Sequence, residues 1–157
     1  MGFKTIVAGS RKFINKELIH KILDDHRSMI DEVVSGQARG VDTIGEEWAK
    51  SLGIPVVPFE ARWKDVSVPG AVVRYNQYGP YNAAAGHMRN ELMSNYGEML
   101  ILIWDGVSSG SRDMLDRAKA RGMKIVNVVM SIDRIYSVTY IDPNMPKKLN
   151  KTPTNFA

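Results

Sequence analysis

The fold is decided by the stretch KTIVAGSR, residues 4–11, in which β-branched and aliphatic residues run into a turn of glycine, serine and arginine. Such a run favours a strand, and the helical pattern after the turn makes it the first half of a β-α-β unit. Glycine lets the backbone approach a ligand closely, while helix N-termini and arginine forks bind anions. The stretch therefore predicts a strand that ends in an anion-binding turn.

The same arrangement occurs twice more along the chain. The residues Val33-Val34 lead into SGQARG, residues 35–40, and the apolar run 100–104 leads into the turn 106–112. A helical pattern follows each turn. The carboxyl ends of parallel strands meet at one edge of a sheet, where ligands bind in open α/β folds. The three turns therefore predict one anion pocket, and we expect a nucleotide as its ligand.

Length and composition limit the class of protein. The 157 residues, of which 44% are hydrophobic, suit one compact domain. We expect no signal peptide, and no apolar run reaches the roughly 18–20 residues that span a bilayer. The absence of cysteine and the presence of three scattered histidines argue against a metal site. These features predict a cytoplasmic protein with neither a metal nor a membrane partner.

The net charge of +4 has two interpretations. It is typical of a mildly basic solvated surface, and it also favours attraction to nucleic acid or free nucleotides. Because arginines lie inside the glycine turns, we favour a small anionic ligand over a long polymer.

Strands alternate with helices along most of the chain. We predict strands at 4–8, 31–34, 55–58, 99–104 and 124–130, and helices at 16–26, 43–52, 86–95 and 111–121. The TIGE sequence at 43–46 resembles a capping box, and Ser109–Ser111 are expected to cap the last helix. This alternation predicts a three-layer Rossmann-like α/β domain whose five-stranded parallel sheet has the order 3-2-1-4-5.

Two segments do not fit the alternation. We expect residues 1–132 to form the domain, with an insertion at 60–85 that holds Trp63 and three tyrosines. Its aromatic side chains either stack on a base or make a subunit contact in a homodimer or higher oligomer. The alternative is a packed surface excursion with its own hairpin. Residues 133–157 are expected to form a partly flexible extension, with an edge strand at 136–141 and a mobile tail from 142.

Four ordered motifs resemble the YspA-type branch of the SLOG superfamily. They are GSR at 9–11, SGxARGVD at 35–42, GHMRNxxM at 86–93 and GS at 110–111, and the resemblance spans about residues 4–130. It implies a Rossmann-like domain that binds a nucleotide, a nucleotide derivative or, as in the DprA relatives, single-stranded DNA. A related branch, the LOG or lysine-decarboxylase-like phosphoribohydrolases, cleaves the base from a nucleoside 5′-monophosphate.

Comparison with this enzymatic branch shows which of its ligand-binding and catalytic residues have counterparts in this sequence. Arg89 and Met93 match its Arg-x-x-x-Met helix, and Gly110-Ser111 matches its phosphate turn, but its glutamate position holds Met114. A thioether cannot stabilise an oxocarbenium-like transition state as a carboxylate does. The resemblance therefore supports the pocket and weakens the case for N-glycosidic hydrolysis, which stays an alternative together with single-stranded DNA binding. The catalytic candidates are Arg89, Asp105 and Asp113.

The predicted ligand-binding residues share a place where a strand ends or a helix begins. Asp42 either stabilises a helix dipole or contacts a ribose. Arg89 lies unfavourably near a helix N-terminus, which an anionic ligand would compensate, and Asp105 is interpreted as a loop carboxylate rather than a general base. The full set is Gly9, Ser10, Arg11, Ser35, Gly36, Arg39, Gly40, Asp42, Arg89, Asn90, Gly106, Ser109, Gly110 and Ser111.

Overall fold

The computed structural model describes residues 2–143 and the short strand at 154–155. The strands are β1 (Phe3–Gly9), β2 (Ile30–Ser35), β3 (Val56–Pro58), β4 (Val73–Asn76), β5 (Gly79–Asn82), β6 (Met99–Trp104), β7 (Lys124–Met130), β8 (Ile135–Ile141) and β9 (Thr154–Asn155). The helices are α1 (Lys16–Asp25), α2 (Val41–Ser51), α3 (Ala85–Tyr96) and α4 (Ser109–Ala120), with a 3-10 turn at Arg27–Met29.

The central sheet has the order β3-β2-β1-β6-β7-β8-β9. Its first five strands are parallel in the predicted order, which is confirmed. The sheet also contains β8 and β9, two antiparallel strands beyond the five parallel strands predicted. The short turn 131–134 between β7 and β8 allows only antiparallel pairing, since a parallel neighbour needs a long crossover.

Helices cover both faces of the sheet. Val7 of β1 packs in the same core cluster as Ile19 of α1 and Trp48 of α2. Its neighbour Ile6 points to the other face and packs with Met93 of α3. Successive side chains of a strand alternate between faces, so one β-branched run supplies both cores. The three-layer Rossmann-like architecture is confirmed.

The beginning of α2 differs from the prediction. The helix begins two residues before Thr43, after Gly40, whose φ is 73°. The Thr43 hydroxyl donates to the Ala38 carbonyl oxygen, and the Glu46 carboxylate accepts from the Ser35 hydroxyl. The predicted capping box was therefore wrong, because both of its side chains are engaged with the preceding turn.

The beginning of α4 also differs. Ser108 is the N-cap residue, and its hydroxyl donates to Asp105 rather than to the helix. Ser109, Gly110 and Ser111 form the first turn of the helix, so their predicted capping role was wrong. Their N–H groups belong to the first turn of a helix, which has no intrahelical acceptors for them.

The insertion at 60–85 contains the antiparallel hairpin β4–β5, which confirms a hairpin of its own. Tyr75 and Tyr78 are 77% and 88% exposed. Buried Asn82 anchors the insertion, because its amide oxygen accepts from the backbone N–H groups of Val72 and Ala84. The backbone N–H of Asn82 donates to the Trp63 carbonyl oxygen at 2.6 Å. The hairpin thus projects into solvent while Trp63 is held against the domain.

The extension after residue 132 joins the sheet through β8, which confirms the expected strand at 136–141, and β9 pairs with part of it at the edge of the sheet. The expected mobile tail, 142–157, lies mostly outside the described residues. In the part of the chain that the structure describes, no helix has the length and apolar character needed to cross a membrane.

Candidate functional site

A cavity of about 460 Å³ opens where β1 and β6 end. These strands are parallel neighbours, with Gly9 beside Ile103, and their crossovers lead to opposite faces of the sheet. A crevice at such a switch point is where doubly wound sheets bind ligands. Most of the predicted site residues line it together: Gly9, Ser10, Arg11, Asp42, Arg89, Asn90, Asp105, Ser109, Gly110 and Ser111.

The other predicted residues do not line this cavity. Arg39 is exposed, and the hydroxyl of buried Ser35 donates to Glu46. Gly106 has a φ of 87° in the turn before α4, which a side chain would strain. The residues outside the lining are Ser35, Gly36, Arg39, Gly40, Gly106 and Asp113.

Two glycines lock the first turn in place. A Cβ atom on Gly9 would overlap the Ile103 carbonyl oxygen, and one on Gly40 would overlap the Ser10 carbonyl oxygen. Those same carbonyls accept hydrogen bonds, from the Ser10 N–H at 3.0 Å and from the Val41 N–H at 3.2 Å. The turn is therefore clamped between the end of β6 and the beginning of α2. These glycines serve close backbone packing.

Two cations lie at the edge of the cavity beside an aromatic ring. Arg11 and Lys12 are both exposed and line the cavity, and neither forms a salt bridge within the described residues. The Arg11 guanidinium lies 6.0 Å from the centre of the Trp63 ring, which is 39% exposed. This edge offers positive charge next to a flat apolar surface. Lys12 was missed, although its place after Arg11 is a signal for it.

Arg89 is held from two sides. Its Nη1 donates to the Gly36 carbonyl oxygen at 2.9 Å, and its Nε donates to Asn90 Oδ1 at 3.3 Å. Burial lowers the pKa of Arg89, the Asp42 carboxylate opposes that shift, and Arg11 adds to it. An arginine stays charged under such conditions. The cavity therefore contains a fixed positive charge.

Asp42 is 4% exposed and lies in the first turn of α2. Burial raises the pKa of its carboxyl to about 6, although the Ala38 N–H donates to Oδ2 at 3.3 Å and Arg89 is nearby. The place at a helix N-terminus agrees with the dipole interpretation. Because Asp42 also lines the cavity, its contact with a ribose stays a prediction.

The turn before α4 is organised by Asp105. Its Oδ1 accepts from the Val107 N–H, the Ser108 N–H and the Ser108 hydroxyl, each at 2.9 Å. The Val107 hydrogen bond is the largest cause of the lowered pKa of this carboxyl. A carboxylate stabilised in this way is a weak base, which agrees with the interpretation of Asp105 as a loop carboxylate, and its role stays a prediction. The N–H groups of Ser109–Ser111 lie in the first turn of α4 and have no intrahelical acceptors.

Asp113 lies behind the cavity wall. Its Oδ2 accepts from Asn90 Nδ2 at 3.0 Å and from Arg117 Nε at 2.9 Å.

Met114, at the glutamate position of the enzymatic branch, lines the cavity and is almost fully buried. His87 also lines the cavity, with its Nδ1 3.9 Å from Asp113 Oδ1. That contact was missed because the two residues are far apart in sequence. Within residues 2–143, no group of three histidine, aspartate or glutamate side chains could hold a metal ion.

Comparison with known proteins tests the motif resemblance. Residues 3–65 match the model of the YspA, cpYpsA-related SLOG family. The resemblance to the YspA-type SLOG family is confirmed. The match includes the first two glycine turns of this chain and ends within the insertion at 60–85. No curated protein matches the chain.

Solved structures show the same fold. DNA processing protein A (DprA) from Streptococcus pneumoniae matches with a TM-score of 0.62 and 22% identity, over 84% of this chain and 52% of that one. The Helicobacter pylori DprA, reported for its single-stranded DNA binding mode, matches with a TM-score of 0.58 and 17% identity, over 84% and 68%. The chain thus spans about half the length of the S. pneumoniae structure.

Proposed function

We propose that this protein binds a phosphorylated nucleotide, or a small molecule derived from one, in the cavity at the strand ends. One observation carries the proposal: Arg11, Lys12 and Arg89 line the same cavity without a salt bridge to the described residues. Cations that form no salt bridge favour an anionic ligand. The volume of about 460 Å³ lies within the range of small-molecule sites.

The lining suggests how such a ligand would lie. Its phosphate would be held by the turn Gly9–Arg11 and by the N–H groups of Ser109–Ser111, with Arg89 as the buried counter-charge. Its base would lie against Trp63, and Asp42 would accept from a ribose hydroxyl. Three charge-assisted hydrogen bonds of about 3 kcal/mol each would give a dissociation constant near a micromolar, and weaker or fewer bonds would give one nearer a millimolar.

Calorimetric titration tests this proposal. We would titrate nucleoside mono- and diphosphates, NAD and ADP-ribose into the wild type, Arg11→Ala and Arg74→Ala. Arg74 is a matched control, since it is exposed on β4 and does not line the cavity. We expect Arg11→Ala to weaken binding about tenfold and Arg74→Ala to leave it unchanged. The absence of binding by every ligand at millimolar concentration would contradict the proposal.

Single-stranded DNA binding is the second candidate. It is favoured by the DprA fold and by the net charge of +4. Fluorescence anisotropy with a labelled oligothymidylate would show an affinity that falls steeply with salt if DNA is the ligand. Competition by AMP shows whether the two ligands share a site. Displacement of the oligonucleotide would place both ligands in the same cavity.

N-glycosidic hydrolysis receives less support from the side chains. Asp105 accepts three hydrogen bonds and has a lowered pKa, and Asp113 is bound to Asn90 and Arg117. Neither carboxyl is suited to act as a general acid. We therefore expect no release of free base from nucleoside monophosphates, which chromatography would measure.

Self-association through the insertion also stays a prediction, which sedimentation velocity tests.

A further inference from the structure

The side chain of Asn90 joins three parts of the site. Its Oδ1 accepts from Arg89 Nε at 3.3 Å, while its Nδ2 donates to the Gly110 carbonyl oxygen at 3.3 Å and to Asp113 Oδ2 at 3.0 Å. Asn90 is 4% exposed. It therefore couples the buried arginine on α3 to the first turn of α4.

We propose that Asp113 is a positioning residue that fixes the Arg89 guanidinium through Asn90. The inference rests on the proposed function, since it assigns to Arg89 the recognition of a phosphate. Asp113 itself does not line the cavity, so it would act on the ligand only through Asn90.

The chemistry of the two side chains explains why a carboxylate is needed. An ionised carboxylate only accepts hydrogen bonds, so the amide nitrogen of Asn90 must face Asp113 and its oxygen must face Arg89. An amide at position 113 could donate instead. Asn90 would then be held in this orientation by the Gly110 carbonyl oxygen alone, and a turned Asn90 would set its NH₂ group against the Arg89 Nε–H donor. The Asp113 carboxylate thus sets the orientation of Asn90 together with the Gly110 carbonyl oxygen.

Asp113 is itself anchored from the outside. Arg117 donates to it at 2.9 Å and also pairs with Glu91 of α3, which accepts from Arg121 at 2.5 Å. The carboxylate is only 18% exposed. This ion-pair network between α3 and α4 holds the Asp113 carboxylate directed at Asn90.

The experiment compares Asp113→Asn with Asp116→Asn, an exposed carboxyl on the same helix. Nitrogen-15 NMR of the free protein would follow the Arg89 Nε–H signal, and calorimetry would follow AMP and adenosine. We expect Asp113→Asn to shift and broaden the Arg89 signal and to weaken AMP binding about tenfold, with adenosine changed less than about twofold. Asp116→Asn should change neither readout. In an Arg89→Ala background, Asp113→Asn should cause no further loss of AMP affinity.

The outcomes separate the two proposals. An Arg89 signal that Asp113→Asn leaves unchanged overturns the positioning role, whatever the ligand. Equal losses for AMP and adenosine also overturn it, because they would indicate general disruption. A shifted Arg89 signal in a protein that binds no nucleotide supports the positioning role and contradicts the proposed function. Should Asp113→Asn not fold, Asp113→Ala removes the same carboxylate without changing the cavity lining and is judged by the same readouts.

Discussion

The Nη1 atom of Arg89 donates to the carbonyl oxygen of Gly36 at 2.9 Å. Arg89 belongs to α3, whereas Gly36 lies in the turn between β2 and α2, so this bond joins the two faces of the sheet beside the cavity. A Cβ atom on Gly36 would come within 2.9 Å of Arg89 Cδ and 3.0 Å of Asp42 Oδ2. The absence of a side chain at position 36 therefore decides where the arginine lies.

Gly36→Ala should displace Arg89 without unfolding the protein. The φ of Gly36 lies outside the left-handed region, and the closest side chain is flexible, so we expect a stability loss of about 1 kcal/mol or less. AMP affinity should fall about tenfold, because a charge-assisted contact is misplaced. Chemical denaturation and calorimetry measure the two effects. A large loss of stability with unchanged affinity would contradict this role.

Gly40→Ala and Gly53→Ala form a matched pair. Both glycines have φ values near the same left-handed angle, 73° and 72°, but only Gly40 would bring its Cβ against backbone atoms of Ser10 and Arg11. We expect Gly53→Ala to cost about 1 kcal/mol from backbone strain alone. Gly40→Ala should cost at least about 2 kcal/mol more, because backbone must move. Equal losses in urea denaturation would show that the turn is not clamped.

Asp42 should make stability depend on pH. Burial raises the pKa of its carboxyl from 3.8 to about 6, so the folded protein holds this proton more tightly than the unfolded chain. Its contribution is fully present below the unfolded pKa and is lost as the pH rises through about 6. The free energy of unfolding of the wild type, minus that of Asp42→Asn, should fall by about 2–3 kcal/mol between about pH 4 and pH 7. A pH-independent difference would refute the shift.

Trp63 should report on the base of a bound nucleotide. It is 39% exposed, whereas Trp48 and Trp104 are 3% and 2% exposed, so iodide should quench mainly Trp63. Trp63→Leu should weaken AMP binding about tenfold by removing a stacking surface, while the affinity for inorganic phosphate stays the same. Tyr75→Leu is the control, since Tyr75 is 77% exposed on the hairpin and does not line the cavity. Unchanged AMP affinity in Trp63→Leu would contradict base stacking.

Local patterns were sufficient for the order of the parallel strands. The β-branched run of β1 and the unbroken apolar run of β6 mark strands that are buried on both faces, and the helices between strands force right-handed crossovers. Because the strands are parallel, their carboxyl ends must meet at one edge of the sheet. That is why Arg11, Arg89 and Ser111, distant in sequence, could be expected at one edge.

Contacts between distant segments were beyond local patterns. Thr43 and Glu46 have the spacing of a capping box, yet tertiary contacts with Ala38 and Ser35 engage both side chains. The link from Asn90 to Asp113 depends on how two helices pack, which no spacing within either helix encodes.

Backbone amide chemical shifts measured during an AMP titration test the central claim most directly. The account predicts that the largest changes fall on Gly9–Arg11 and Ser109–Ser111, with smaller changes at Trp63 and Arg89. Changes that are absent at saturating AMP, or confined to the hairpin β4–β5, would contradict it.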